Sequence, residues 1–431
     1  MNRLRNFFLF LIGLCIIFNS IAIASEMTQY HYVFTIQSPD VESEVNFGYS
    51  IVCDDGFIVV SEKGSSVGGE VYLFDSSGNI KASIQSPTTK AARFGFSIDF
   101  NGKYIVIGDP NLEINGLTYS GNAYIFDIDG NLHATLTPPE PSSSGRFGYA
   151  VAINGDKIVV SESGANYGDF SHAGMVYVYD LDGNLLDSIQ SPEPFGGGGV
   201  GGNFGYSLAF NGNIIAVGEA HTTVDDKLGA GRVFLFGSDG DLIASIESPE
   251  PQAQGEFGQS IAVNNDIVLV GEHYAEVDSF SKAGKVHVFD LDGNLLYTLQ
   301  SPKPEENALF GHKVAASEDL IVVSESGADG VSKNEGLVHL YGLDGTLITS
   351  LKAPQPAANS EFGSFVAVSG ETIAVGDLSA VQGEYKAGQV HVYQPGSIEP
   401  PVSPSGGFPG FPIMSILTAL AILYLGRKWM K

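Results

Sequence analysis

The chain has 431 residues, of which 54 are glycine, 20 are proline and only two are cysteine. Its 49 acidic and 21 basic residues give a formal net charge of −28, which disfavours nucleic acid and anionic lipid as partners. Two cysteines cannot form a disulfide framework or a cysteine-rich zinc site. The frequent turn residues, with many aromatic and β-branched residues, predict an all-β fold.

The N-terminal 24 residues predict a secretory signal peptide. Arg3 and Arg5 precede an apolar run over residues 7–24, and residues 22–24 (Ala-Ile-Ala) supply a small-x-small cleavage pattern. The mature chain is therefore expected to begin near Ser25 and to work outside the cytoplasm. An uncleaved N-terminal anchor is the alternative.

A Phe-Gly pair recurs seven times between residues 25 and 395, at spacings of 47 to 57 residues. The pairs are Phe47-Gly48, Phe94-Gly95, Phe147-Gly148, Phe204-Gly205, Phe257-Gly258, Phe310-Gly311 and Phe362-Gly363. Self-similarity at this period is typical of repeat architectures. We interpret each Phe as a wedge between repeats and each Gly as a point of close backbone approach.

The third repeat shows the unit most clearly. Residues 147–153 alternate as strand A, Asn154-Gly155 makes a tight hairpin turn, and residues 157–162 form strand B. Strand C follows at 175–180 and strand D at 185–191. Four antiparallel strands in each repeat predict one blade of a β-propeller, and seven repeats predict a seven-bladed ring.

The two ends of the array predict how the ring closes. The seventh repeat has strands A to C at 362–368, 372–377 and 389–393, but no strand D. Residues 31–38 match strand D and precede Pro39 in the Ser-Pro pair that follows this strand elsewhere. We therefore expect the N-terminal strand to complete blade 7, which removes open sheet edges and favours a monomeric propeller.

The repeats resemble the FG-GAP repeat, the blade unit of integrin-α-like propellers. The resemblance rests on the Phe-Gly opening and on the Gly-x-Val-Tyr-x-Phe pattern of strand C, as in residues 69–74 and 174–179. It covers about residues 30–395, is closest to secreted prokaryotic versions, and implies an adhesion module. Integrin-like blades hold calcium in a long A–B loop, which here is trimmed to turns such as Asn154-Gly155, so those ligands have no matching positions.

Three Asp-x-Asp-Gly-Asn segments, at 127–131, 180–184 and 290–294, resemble the opening of a calcium-binding loop. They lack the later acidic ligands and the bidentate glutamate of such loops. We expect them to be hairpin turns, with weak exposed calcium binding as the alternative, and we expect no cofactor to be required.

Strand B ends in an acidic residue in every repeat. The seven acidic residues, one from each blade, are predicted to form a ring on one face of the propeller. The members are Glu62, Asp109, Glu162, Glu219, Glu272, Glu325 and Asp377. One interpretation is a collar that binds a cation or a basic ligand. The other, favoured by repetition in every blade, is that each carboxylate accepts backbone N–H bonds like a cap.

Strand C carries a histidine in three blades, at His287, His339 and His391, where other blades have an aromatic residue such as Tyr177. Because metal ligands must converge and these histidines lie in different blades, we interpret them as packing residues.

The B–C and D–A loops are the longest, and both open on the face of the acidic ring. Loops on a rigid scaffold are where binding residues concentrate. Besides Phe195, the candidate binding residues in these loops are Tyr167, Phe170, His172, His221, His273, Tyr274 and Phe280.

The C-terminal region predicts retention at the cell surface. Residues 396–410 form a Pro/Gly/Ser linker, and 411–431 form an apolar segment with a basic tip. The Pro409-Gly410-Phe411 order resembles archaeal PGF-type sorting signals, which implies that the segment is either a transmembrane anchor or is replaced by lipid.

Three functions are compatible with these features. The first is a cell-surface binding or adhesion module for a protein or polysaccharide. The second is a secreted carbohydrate-active hydrolase or lyase with its site at the channel mouth, although no catalytic motif is present. The third is a passive surface-layer component. Near-equal blades favour binding or structure over catalysis.

Overall fold

The computed structural model describes residues 29–39, 46–63, 68–89, 93–194, 196–197, 200–382 and 385–396. The predicted signal peptide (1–24), the C-terminal segment (411–431), Phe195 and the linker beyond Gly396 lie outside these residues. Every regular element in the described ranges is a β-strand. Among the same residues, no helix has the length and apolar character needed to span a bilayer.

Seven four-stranded antiparallel sheets form seven blades, each running from an inner strand A to an outer strand D. The N-terminal strand is β1 (Gln29–Gln37). Blade 1 contains β2 (Phe47–Asp54), β3 (Phe57–Glu62), β4 (Glu70–Asp75) and β5 (Ile80–Gln85). Blade 2 contains β6 (Ile98–Phe100), β7 (Tyr104–Asp109), β8 (Asn122–Asp127) and β9 (Leu132–Leu136). Blade 3 contains β10 (Phe147–Asn154), β11 (Lys157–Glu162), β12 (Met175–Asp180) and β13 (Leu185–Gln190).

The remaining blades repeat the pattern, with two short hairpins in their loops. The first hairpin is β14 (Gly196–Gly197) with β15 (Val200–Gly201). Blade 4 contains β16 (Ser207–Phe210), β17 (Ile214–Glu219), β18 (Arg232–Gly237) and β19 (Leu242–Glu247). Blade 5 contains β20 (Ser260–Val263), β21 (Ile267–Glu272), β22 (Lys285–Asp290) and β23 (Leu295–Gln300). Blade 6 contains β24 (Phe310–Ala316), β25 (Leu320–Glu325), β26 (Leu337–Gly342) and β27 (Leu347–Leu351). Blade 7 contains β28 (Phe362–Ser369), β29 (Thr372–Asp377), β32 (Gln389–Gly396) and β1, and its loop holds β30 (Val381–Gln382) with β31 (Tyr385–Lys386).

The N-terminal strand closes the ring. β1 pairs antiparallel with β32, from Gln29 opposite Gly396 to Gln37 opposite Gln389. Ile36 on β1 is buried in one apolar cluster with Val390 of blade 7 and Phe47 of blade 1. The predicted seven-bladed propeller and its closing strand are therefore confirmed.

The apolar core lies between the blades. Each apolar cluster joins two neighbours: Val106 and Ile125 of blade 2, for example, pack with Phe147 and Val160 of blade 3. Strands B and C are buried on both faces, as β11 and β12 show. Because a single blade cannot cover both of its own faces, the ring has to assemble as a unit.

The Phe-Gly pair forms the corner at which consecutive blades meet. The ring centroid of Phe147 lies 5.8 Å from that of Tyr177, and the Phe147 amide donates to the Ser120 carbonyl of blade 2 at 2.9 Å. Gly148 has φ +83, and a Cβ there would lie 2.4 Å from the Asn122 carbonyl oxygen. The phenylalanine is the predicted wedge, and the glycine permits backbone contact that any side chain would prevent.

We expect Ile36→Ala to destabilise the propeller by about 2–4 kcal/mol, because it removes buried apolar volume at the closing seam. The melting temperature of the purified chain should fall by several degrees. Val33→Ala is the matched control on the same strand: Val33 is 46% exposed, so its change should cost less than about 0.5 kcal/mol. Equal melting of the two variants would show that closure by β1 does not support stability.

Candidate functional site

The seven acids that end strand B are buried. Their exposed fractions lie between 0% and 5%, and they are Glu62, Asp109, Glu162, Glu219, Glu272, Glu325 and Asp377. The structure places them inside the seams between blades and not on an open collar. Of the two interpretations, burial therefore favours a structural role.

Blade 5 shows the seam chemistry in full. Glu272 Oε2 accepts a hydrogen bond from Ser248 Oγ of blade 4 at 2.8 Å and lies 2.9 Å from His287 Nε2. The other ring nitrogen of His287 lies 3.0 Å from Thr298 Oγ1 on strand D. One carboxylate thus links two blades and is held by strand C.

The same arrangement recurs with different partners. His339 bridges Glu325 at 2.7 Å and Ser350 at 2.8 Å. At the closing seam, Ser38, directly after β1, donates to Glu62 of blade 1. The strand C histidines thus belong to separate seams, as expected for packing residues. Backbone capping occurs at Asp109, whose Oδ1 accepts the Arg93 N–H at 2.9 Å.

Three seams hold acids whose pKa values burial raises: Glu162, Glu219 and Asp377. The Tyr177 hydroxyl donates to Glu162 Oε2 at 2.9 Å, yet burial raises the pKa of Glu162 to about 7. In blade 4, Phe234 takes the place of that tyrosine, and neither Glu219 oxygen has a hydrogen-bond donor at normal geometry. Burial raises the pKa of Glu219 to about 8, although the Arg232 charge and the nearby Ser191 hydroxyl oppose the rise.

The Asp-x-Asp-Gly-Asn segments form hairpin turns. Asp127 Oδ1 accepts the N–H groups of Asp129 at 3.0 Å and Asn131 at 2.8 Å, and Asp290 does the same with Asp292 and Asn294. Hydrogen bonds from Asn131 hold the pKa of Asp127 below its usual range. Across the described ranges, no cluster of three or more His, Cys, Asp or Glu is arranged to hold a metal ion.

The predicted loop residues divide into two groups. Tyr167 and Phe170 lie in the blade 3 B–C loop, joined by reciprocal backbone bonds of 3.0 Å, and both are exposed. Phe280 occupies the matching exposed position in blade 5. His172 lies beside the blade 3 pair, and its amide donates to Asn166 Oδ1. The second group (His221, His273 and Tyr274) lies at the mouth of the central channel.

An arc of five aromatic side chains surrounds much of this mouth. Consecutive ring centroids lie 5.4, 5.6, 4.9 and 5.2 Å apart. The rings come from blades 7, 1, 2, 3 and 4 and belong to Phe365, Tyr49, Phe96, Tyr149 and Tyr206. We call this set the aromatic arc. It lines the loop-rich end of a channel of about 650 Å³ between the seven inner strands.

Neutral histidines continue the arc. The His221 ring lies edge-on to Tyr206, with centroids 4.7 Å apart. His273 contacts Tyr274 at 3.9 Å and His312 at 5.5 Å. Burial lowers the pKa of His273 and brings that of His312 to about 3, so both rings are uncharged at neutral pH.

Four basic residues lie against or beside the aromatic arc. Lys63 Nζ is 5.3 Å from the Tyr49 ring centroid, Arg93 Cζ is 5.5 Å from that of Phe96, and Lys313 Nζ is 4.7 Å from that of Phe365. The fourth, Arg146, is close enough for its charge to act on the Tyr149 phenol. We call Lys63, Arg93, Arg146 and Lys313 the cation rim.

Neither the aromatic arc nor the cation rim was predicted from the sequence. The signal was present, because Tyr49, Phe96, Tyr149 and Tyr206 each lie two residues after the Phe of a Phe-Gly pair. On an innermost strand, that position faces the channel. Together the two sets form a concave surface that can stack against a flat apolar body and attract negative charge.

We expect Glu219→Gln to raise the melting temperature at pH 8.5 by at least about 2 °C and to change it little at pH 5. The folded pKa is about 8, above the ordinary value of 4.5. The contribution of protonated Glu219 to the free energy of unfolding is therefore complete below about pH 4.5. This contribution is lost as the pH rises through 8.

The measurement is a melting series from pH 5 to 8.5 on wild type, Glu219→Gln and Glu318→Gln. Glu318 is an exposed acid, and its change should leave the pH dependence unaltered. If Glu219→Gln loses as much stability across this interval as wild type does, the buried charge is not responsible.

Comparison with known protein families matches one repeat of the chain. Residues 131–179 match the family model described as FG-GAP repeat. No curated protein matches the chain in sequence. One solved structure that it resembles is BamB from Moraxella catarrhalis, at 12% identity and a TM-score of 0.45, over 85% of this chain and 100% of that one. The chain therefore contains an FG-GAP repeat within a seven-bladed β-propeller whose other blades carry the same Phe-Gly corner.

Proposed function

We propose that the chain is an extracellular binding module that holds a protein or polysaccharide at the loop-rich face of its propeller, centred on the channel mouth. The observation that carries this proposal is the aromatic arc, in which five partly exposed rings are held side by side at centroid distances of 4.9 to 5.6 Å. Rigid aromatic side chains offer large contact areas at a small entropic cost on binding.

The mouth favours binding over catalysis. Burial lowers the pKa values of its histidines His221, His273 and His312, and the seven acids that end strand B are buried in the seams between blades. A hydrolase or lyase would need a general acid or base within reach of a substrate. We therefore propose that the protein is not an enzyme. The appearance of new reducing ends when a bound saccharide is incubated with the protein would show that it is an enzyme and contradict this proposal.

The proposed location rests on the two terminal segments. The basic and apolar N-terminal 24 residues would direct export, and the apolar segment at 411–431 would hold the propeller outside the cell. Fractionation of cells that express the full chain, or a form without 411–431, tests this proposal. Surface retention should be lost in the shortened form, and propeller found in the cytoplasm would contradict export.

We expect the double variant Phe96→Ala/Tyr149→Ala to lose at least tenfold in affinity for whichever ligand the wild type captures from glycan and protein arrays. Truncating central aromatic residues at an interface commonly costs 2 kcal/mol or more. The matched control is Tyr167→Ala, because Tyr167 is an exposed aromatic of the outer loop. If that variant loses the ligand while the double variant keeps it, the outer loops are the binding site.

We propose that neither folding nor binding requires calcium. The trimmed A–B turns lack the family's ligand positions, and Asp127 Oδ1 already accepts two backbone N–H groups. Melting and ligand binding should be unchanged when EDTA is replaced by millimolar calcium. A rise in melting temperature with calcium, lost in Asp127→Asn, would show that these turns are calcium sites.

A further inference from the structure

The cation rim is unusual because the chain is so acidic, with a formal net charge of −28. Three basic residues elsewhere on the propeller are paired with acids: Arg232 with Glu193 and Glu247, Lys285 with Glu250, and Lys303 with Glu305. Within the part of the chain that the structure describes, none of the four rim residues forms a salt bridge. The charges of Lys63, Arg93 and Arg146 are therefore available to a ligand, whereas burial lowers the pKa of Lys313 to about 8.

Like charges are also brought close together at the rim. Burial lowers the pKa of Lys63, and the Arg93 charge lowers it further. The two residues come from different loops, Lys63 from the end of strand B in blade 1 and Arg93 from the approach to blade 2. Such proximity is unfavourable until an anion lies between the two cations.

The same cations exclude a positively charged ligand. Three of them lie 4.7 to 5.5 Å from ring centroids of the aromatic arc, where an incoming cation would otherwise bind. Acids are present on the other side of the mouth, but Glu256 accepts a bond from Gln259 and lies beside Lys282. Glu361 also lines the channel. The side of the channel mouth that blades 1 to 3 form is therefore its positively charged side.

The far end of the channel has the opposite charge. Asp54 and Asp55 lie at the blade 1 A–B turn, and Asp99 on β6 lines the channel. Burial raises the pKa of Asp99 to about 7, so this carboxyl is only partly charged at neutral pH. Asp54 and Asp55 are therefore the acids that disfavour an anion at this end.

We propose that the channel mouth binds a saccharide that carries carboxylate groups, such as a chain of uronic acids. The inference rests on the proposed function and specifies its ligand. Lys63 and Arg93 pair with a carboxylate, and the aromatic arc packs against the apolar face of the sugar ring. A cluster of cations alone would suit an acidic peptide equally well, and it is the aromatic arc beside the cations that favours a sugar ring.

The test is calorimetric titration of the purified full-length chain with a short oligogalacturonate and with its methyl ester. The ester keeps the sugar and removes the charge. The free acid should bind at least tenfold more tightly, and its affinity should fall as salt is raised. Equal binding of the two forms would overturn the proposal. So would tighter binding of an oligoglutamate peptide of equal charge.

Substitutions of Lys63 and Arg93 test whether the saccharide binds at the channel mouth. Lys63→Gln/Arg93→Gln should weaken oligogalacturonate binding at least tenfold, while Lys63→Arg/Arg93→Lys should retain it. The control is Lys103→Gln, because Lys103 also lies over a ring, 4.9 Å from the Tyr104 centroid, but at the opposite end of the channel. Melting curves establish that each variant is folded, and unchanged binding by the folded double Gln variant would overturn the proposal.

The two proposals fail in different ways. If Phe96→Ala/Tyr149→Ala abolishes capture of a neutral ligand that Lys63→Gln/Arg93→Gln still binds, the mouth is a binding site. The proposal that its ligand is anionic is then wrong. If neither double variant affects any captured ligand, the proposed function itself is wrong.

Discussion

Backbone contact between consecutive blades is the constraint on which the rest of this propeller depends. The Phe204 amide donates to the Ala173 carbonyl of blade 3 at 3.0 Å. A Cβ on Gly174 would lie 2.1 Å from the Phe204 carbonyl oxygen, and one on Gly205 would lie 2.6 Å from Ser161 Cβ. Glycine is required on both sides of the seam, which explains why the tightest contact in the fold is also its most regular sequence signal.

This link between contact and sequence explains how much of the fold could be predicted. The four strands of the third repeat end within one residue of their predicted bounds, because the turns between them have clear residue preferences. The Ser-Pro after β1 identified the closing strand for a physical reason: Ser38 donates to Glu62 across the closing seam. The sequence could not show how deeply the acids lie, since Ser248, Glu272 and His287 meet only once strand register is known.

The channel mouth was harder to predict. Its members come from strand A and from both loop types, so that Lys63, Arg93 and Phe365 become neighbours only when the ring closes. Aromatic alternation along strand A is also what a core strand would show. The loops did contribute, through His221, His273 and Tyr274, but as extensions of a surface built mainly on the rigid inner strands.

The acidic composition and the positive mouth are compatible because electrostatic interactions in salt solution have a short range. The Debye length is about 8 Å at physiological ionic strength, so a bound ligand responds chiefly to charges near the mouth. Two of the seam acids add little negative charge there, because burial raises the pKa of Glu162 to about 7 and that of Glu219 to about 8. Surface acids on other faces favour solubility, while the cation rim supplies the positive charge nearest to a ligand at the mouth.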